Sequence, residues 1–298
     1  MIGRIDTRNR QIRKKEIMES AQEPPVWFVT GCSTGFGRSI AAHLLKKEFR
    51  VVVTARRTGQ VRDLSDHDNA FAVALDVTDE GSVADAVGRA QEHFGRIDVV
   101  VNNAGIGYFA AVEETSPQTV QRLFDVNFHG VSRVIHAVLP GMRAQRSGVI
   151  VNMTSMGGLV GHPAVGYYCA TKFAVEGLSE SLRHEVEPLG IKVMTVEPSA
   201  FRTNWASSAQ ETQDPIADYA QTAGAARRAY RDSVGKQAGD PDRAAHALFK
   251  AVTDPEPPRH LLLGAEAYDV ATTQLRARAK DFQAWEGVTR SADFPTSA

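Results

Sequence analysis

The sequence predicts a doubly wound α/β protein: a mostly parallel, seven-stranded sheet with helices on both faces. Three observations predict it. Short runs rich in Val, Ile and Leu recur without polar alternation, the pattern of strands covered on both sides. Stretches with helical spacing separate those runs. A glycine-rich turn, Thr30-Gly31-Cys32-Ser33-Thr34-Gly35-Phe36-Gly37, joins the first run to the first helical stretch.

Residues 26–30 form the first strand, after Pro24-Pro25. Residues 37–48 follow as a helix with Ile40, Leu44 and Leu45 on one face. Residues 51–54 and 71–75 are the second and third strands. Residues 79–94 then turn Val83, Ala86, Val87, Ala90 and Phe94 inward as a helix. A fourth strand covers 97–101, and 117–145 predicts one long helix capped by Ser116 with Pro117 in its first turn. Strand 149–153, helix 166–187 and strand 193–197 come next. Asp240 caps a helix over 241–252, and 261–263 is the seventh strand. The implied organisation is an N-terminal extension (1–24), one dinucleotide-binding catalytic domain (25–264) and a tail (265–298) with one weak helix. The irregular stretch 199–239 is long enough for a substrate loop or cap.

Composition narrows the function. Among 298 residues, 34 Lys+Arg oppose 35 Asp+Glu, so no bulk field gathers nucleic acid. Cys32 and Cys169 cannot build a disulfide framework and read as free thiols, and no Cys/His spacing suggests a metal. No apolar run reaches the ~18 residues of a membrane span, and the polar N-terminus lacks the core of a secretory signal. A cytoplasmic protein is expected.

The glycines of the first turn allow a tight bend and close approach to a pyrophosphate, and the following helix offers free N–H groups to it. The second strand ends in Arg56-Arg57 where an NAD site usually carries an acid, so a 2′-phosphate, and hence NADP, is favoured. Tyr168 and Lys172 lie four apart on one helix, on one face. An ammonium beside the phenol favours its ionised form and suits Tyr168 to proton exchange with a carbonyl or alcohol oxygen. Ser155, at the end of the fifth strand, can hold that oxygen. Asn127 sits among apolar residues of its helix, where an amide needs partners. It either ties down backbone or carries a water-mediated proton path from Lys172.

These residues together resemble the short-chain dehydrogenases/reductases: the TGCSTGFG turn, Asp76, Asn102-Asn103-Ala104-Gly105, Asn127, Ser155 and Tyr168-x-x-x-Lys172, with Ser155 thirteen residues before Tyr168. The resemblance implies a Rossmann fold and a catalytic tetrad of Asn127, Ser155, Tyr168 and Lys172. It implies cofactor contacts from Thr30, Gly31, Ser33, Thr34, Gly35, Phe36 and Gly37 in the turn. Asp76, Val77, Asn103, Ala104, Gly105, Pro198 and Thr203 join them, with Tyr168 and Lys172. The family's usual Pro-Gly is Pro198-Ser199 here. GCSTGFGR, EPSAFRTNW and PEPPRHLLLGAEA look like bacterial NADP-dependent members akin to 17β-hydroxysteroid and retinol dehydrogenases. The implied reaction moves a hydride between nicotinamide and a hydrophobic ketone or secondary alcohol. Tyr108, Phe109, Met156, Leu159, Phe201 and Trp205 are the expected substrate contacts. A homodimer or homotetramer is implied by the family alone. A catalytically silent NADP-binding regulator or scaffold, or a nucleotide-sugar epimerase-like enzyme, are the alternatives.

Overall fold

A computed structural model describes residues 23–294; most of the N-terminal extension and the last four residues of the tail lie outside it. Seven parallel strands form the main sheet: β1 (Val26–Val29), β2 (Arg50–Ala55), β3 (Ala70–Ala74), β4 (Val99–Asn102), β5 (Gly148–Met153), β6 (Ile191–Pro198) and β7 (His260–Leu263). They lie in the order β3-β2-β1-β4-β5-β6-β7. The order reverses between β1 and β4, and ligands of open α/β sheets bind beyond the carboxyl ends of such strands.

Each inner strand feeds two cores. On β1, Val26 and Phe28 point into one layer with Val83, Val134 and Val175, while Trp27 and Val29 point into the other with Ile40, Leu44 and Leu248. Helices α2 (Glu80–Phe94), α4 (Gly130–Gln145) and α5 (Gly166–Val186) cover the first face. Helices α1 (Gly35–Lys46) and α7 (Pro241–Val252) cover the second. Burying each large apolar side chain contributes about 1.5–3 kcal/mol, which explains why the strand runs admit no polar alternation. The two expected caps form, with Ser116 accepting from the Thr119 amide at 3.2 Å and Asp240 from Asp242 at 2.8 Å, and Asp79, read as helical, instead caps α2 by accepting from the Ser82 amide at 2.8 Å.

Three expectations change. The long helix over 117–145 is interrupted: α3 (Pro117–Phe124) passes through a π turn, Asp125–His129, into α4. The stretch 199–239 contains structure, including a short helix Trp205–Ser208 and helix α6 (Ala223–Asp232). Its residues Gln210–Glu211 pair in parallel with Tyr108–Phe109, and the Tyr219 hydroxyl donates to Glu113 at 2.6 Å. These contacts fasten the segment over the carboxyl end of the sheet. The tail forms a twenty-residue helix, α8 (Ala265–Ala284), followed by Glu286–Arg290. Among the described residues no helix is long and apolar enough to cross a membrane.

Candidate active site

A cavity of about 870 Å³ opens along the carboxyl ends of β1, β4, β5 and β6. At one end stands the glycine turn. Gly31 and Gly35 have φ of +72° and +59°, a conformation that side chains with a Cβ adopt reluctantly. A Cβ on Gly37 would lie 2.4 Å from the Gly31 carbonyl oxygen and 2.5 Å from Asn103 Nδ2. Thr34 precedes α1 without capping it, and the first turn of α1 carries no acid, so its amides remain available to an anion. This cradle and its volume fit the pyrophosphate of a dinucleotide.

Thr30 acts behind the cavity wall and Asn103 forms part of it. The Thr30 hydroxyl accepts from the Asn103 and Ala104 amides, both at 2.9 Å, and Asn103 Nδ2 donates to the Thr30 carbonyl at 2.8 Å. They brace the β1 and β4 loops against each other. Ser33, Thr34, Phe36, Asn103, Ala104, Gly105, Asp76, Val77, Pro198 and Thr203 line the cavity. Asp76 accepts from the Thr78 amide and hydroxyl at 2.9 and 2.7 Å, and these bonds hold its carboxyl below the usual range. Arg56 lines the cavity; Arg57 does not, and instead precedes the next turn of chain.

At the other end, Ser155, Tyr168 and Lys172 come together on one wall. Ser155 has extended backbone, and its Oγ accepts from the Gly157 amide at 3.0 Å. Lys172 Nζ donates to the Met153 carbonyl at 2.8 Å and lies 5.7 Å from the centre of the Tyr168 ring. Burial pushes the Lys172 ammonium down to about 8. Burial pushes the Tyr168 phenol up, opposed by a hydrogen bond from Ser155. The lowering expected from Lys172 is therefore not the dominant influence on Tyr168, because the lysine is itself desolvated and bonded to backbone.

Asn127 is fully buried behind this wall, brought inward by the π turn. Its Oδ1 accepts from the Ile106 amide at 2.9 Å, and its Nδ2 donates to the Ile106 carbonyl at 3.0 Å and Thr171 Oγ1 at 3.2 Å. The amide clamps the loop after β4 in both directions, so the tie to backbone is its visible role.

Of the expected substrate contacts, Met156, Phe201 and Trp205 line the cavity, whereas Tyr108, Phe109 and Leu159 do not. Phe109 stacks beneath Tyr230 at 5.1 Å and meets the edge of Trp205 at 5.6 Å. Trp205 lies 4.9 Å from the Tyr168 ring. Cys169, read from the sequence only as a free thiol, forms part of the wall, joined by His162, Val165 and Tyr230. His162, Val165 and Cys169 come from one stretch of chain, and Tyr230 reaches them because the 199–239 segment folds back. Behind Ser155 lies a further unpredicted group: Glu197 accepts from Thr195 at 2.5 Å and pairs with His260 at 2.9 Å, beside Glu176, which accepts from Thr154.

The sequence pattern of the short chain dehydrogenases matches residues 25–214. The chain belongs to the short-chain dehydrogenase/reductase family. It is 38% identical over 263 residues to oxidoreductase BOA17 of Botryotinia fuckeliana, covering 87% of this chain and 96% of that one. A short-chain dehydrogenase structure from Streptomyces avermitilis superposes with a TM-score of 0.84 at 39% identity, across 91% of this chain and all of that one. An alcohol dehydrogenase from Thermococcus sibiricus complexed with 5-hydroxy-NADP reaches 0.68 at 27% identity, covering 81% and 96%. A 3-ketoacyl-(acyl-carrier-protein) reductase from Brucella melitensis complexed with NADH reaches 0.69 at 27%, covering 82% and 97%. The protein is thus an oxidoreductase of this family.

Proposed function

We propose that the protein is an NADP(H)-dependent carbonyl reductase or alcohol dehydrogenase acting on a hydrophobic ketone or secondary alcohol. The observation that carries the reading is the single cavity that joins the glycine turn to the Ser155–Tyr168–Lys172 wall. Residues 25–264 make the catalytic unit, with 199–239 as its substrate cap. The cradle at Gly31, Gly35 and the start of α1 would hold the pyrophosphate, and Arg56 the 2′-phosphate. When bound, the nicotinamide ring supplies or accepts the hydride.

The chain's own residues handle the oxygen and the proton. Ser155 orients the substrate oxygen by hydrogen bonding. Tyr168 donates its phenolic proton to that oxygen in reduction and takes it back in oxidation. Its raised proton affinity keeps the phenol loaded before reduction. Lys172 holds positive charge near the tyrosinate left behind, which limits the cost of giving up the proton. Asn127 keeps the loop of Asn103–Ile106 in place beside Lys172. The aromatic wall of Phe201 and Trp205 and the thioether of Met156 select an apolar substrate.

The test is NADPH consumption across a panel of apolar ketones, compared with NADH. Tyr168→Phe should abolish turnover by a factor on the order of 10²–10⁴ while cofactor binding persists. Full turnover by that variant would overturn the mechanism. Cofactor binding with no turnover of any ketone or alcohol by the unaltered protein would favour a silent NADP-binding role.

A further inference from the structure

Two charged side chains of α5 are tied to the same strand end. Lys172, only 5% exposed, donates to the Met153 carbonyl at 2.8 Å. Glu176 stands one turn further along α5, on the same side of the helix. It accepts from the hydroxyl of Thr154, the residue after Met153. Ser155 comes next and lines the cavity. Three consecutive residues thus hold the lysine, hold the carboxyl and present the substrate-binding hydroxyl. The buried Thr154 hydroxyl shares its one proton between Glu176 and the Val196 carbonyl, 3.0 Å away, which pins the carboxyl to the sheet. The other carboxyl oxygen of Glu176, Oε2, is buried without a hydrogen-bond partner. His260 Nδ1 lies 3.9 Å from that oxygen but 2.9 Å from Glu197, so Glu197 is its nearer partner.

We infer that Glu176 is a positioning residue for the proposed reaction: its carboxylate keeps Lys172 an ammonium beside Tyr168, and its tie to Thr154 fixes the strand end that presents Ser155. The inference rests on the roles given above to Tyr168 and Lys172. The Lys172 ammonium bonds a neutral carbonyl, and the charged neighbour that opposes its burial is Glu176. Burial alone favours the neutral amine, which offers no charge to a tyrosinate. Away from water, an opposite charge acts with little screening. The order of ionisation fits the role. Glu176, raised to about 7 by burial and by Glu197, gains its charge just before Lys172, lowered to about 8 by burial, would lose its own. The other charged groups near Glu176 are Arg183 on α5, Glu197 on β6 and His260 on β7. The turn Met156–Gly158, whose Gly158 packs on Glu176, has no titratable side chain. The π turn packed on α5 presents the neutral Asn127, while Asp125 bonds to Arg133 at 2.8 Å and His129 is exposed.

Removing the charge while keeping the shape tests the inference. Glu176→Gln retains an oxygen for Thr154 and relieves the contact with Glu197, and its melting curve checks the fold. Heteronuclear NMR of the lysine-labelled full chain follows Lys172, whose signal is the one missing from Lys172→Arg. At about pH 9, Glu176→Gln should lower the ammonium fraction of Lys172 about tenfold, and Glu176→Asp, which keeps the charge, should restore most of it. Reduction of an apolar ketone by NADPH should lose a similar factor in kcat at about pH 9, little at about pH 6, and change KM less than about twofold. An unmoved Lys172 titration in Glu176→Gln would overturn the inference, and so would a loss of turnover that is equal at every pH. If Glu176→Gln melts early, Thr154→Val replaces it: without its donor the carboxyl ionises less readily, and the Lys172 titration should move the same way or the inference falls. The titration needs no turnover, so the two readings fail separately. A displaced titration in a protein that reduces no ketone would support the coupling of Glu176 to Lys172 and count against the reductase.

Discussion

Replacing Asn127 with alanine isolates the contribution of one buried amide. The change removes the acceptor for the Ile106 amide at 2.9 Å and the donors to the Ile106 carbonyl at 3.0 Å and Thr171 Oγ1 at 3.2 Å. Thr171 keeps its own bond to the Tyr168 carbonyl at 2.7 Å, so the loss falls mainly on Ile106. Leaving a buried donor or acceptor without a partner costs about 1–3 kcal/mol each. Ile106 is only half-buried and gains some water when the clamp is gone. The total is therefore about 2–4 kcal/mol, a fall of about 4–8 °C in melting temperature for a domain of this size. The assay is thermal unfolding by circular dichroism, with and without NADPH. The loop released by the change carries Gly105 and Ile106, which line the cavity, so the cofactor should protect the variant less than the parent. A melting temperature within about 2 °C of the parent, with equal protection by NADPH, would refute the clamp.

Three other outcomes are expected. Gly37→Ala drives a Cβ against the Gly31 carbonyl and Asn103; overpacking of about 1–3 kcal/mol should weaken dinucleotide binding roughly five- to 150-fold, read by fluorescence titration. Arg56→Ala should weaken NADPH binding about tenfold or more through loss of a charge-assisted bond, and leave NADH binding and the Arg57→Ala variant unaffected; equal losses for both cofactors would contradict the 2′-phosphate assignment. Burial and the neighbouring Glu197 raise the Glu176 carboxyl from 4.5 to about 7, and a hydrogen bond to Glu197 raises His260 above 6.5. Both groups bind protons more tightly in the folded chain, so their stabilisation is complete at low pH and fades as pH climbs through 7. The melting temperature should fall between pH 5 and 8, and Glu176→Gln should flatten that slope; a flat parent profile would refute the assignment.

Much of the architecture is legible in the residues because burial on both faces forces unbroken Val and Ile runs, as in β2 and β4. The Ser155, Tyr168 and Lys172 wall is legible for a similar reason: one helix and one strand end position all three. The π turn is not legible. Its single surplus residue leaves apolar spacing intact on either side, in α3 and α4, and only the inward turn of Asn127 betrays it. The 199–239 segment is hidden because its short elements are held by distant partners, as Tyr219 is by Glu113 and Tyr230 by Phe109. Arg56 and Arg57 look equivalent in sequence, yet the direction in which β2 ends turns only the first into the cavity. Glu176, Glu197 and His260 come from a helix and two strands, and no spacing announces their meeting.

The stretch 198–205 has a consequence for how the two ligands bind. Its Thr203 abuts the cofactor turn, 3.4 Å from where a Cβ of Gly35 would stand, while its Trp205 leans on Tyr168. One short piece of chain therefore borders both ends of the cavity, and its Pro198 and Phe201 line it too. A ligand at one end that shifts this piece also changes the wall that the piece offers to the other. Dinucleotide and substrate affinities are then thermodynamically linked: whatever factor the first gains from the second, the second gains from the first.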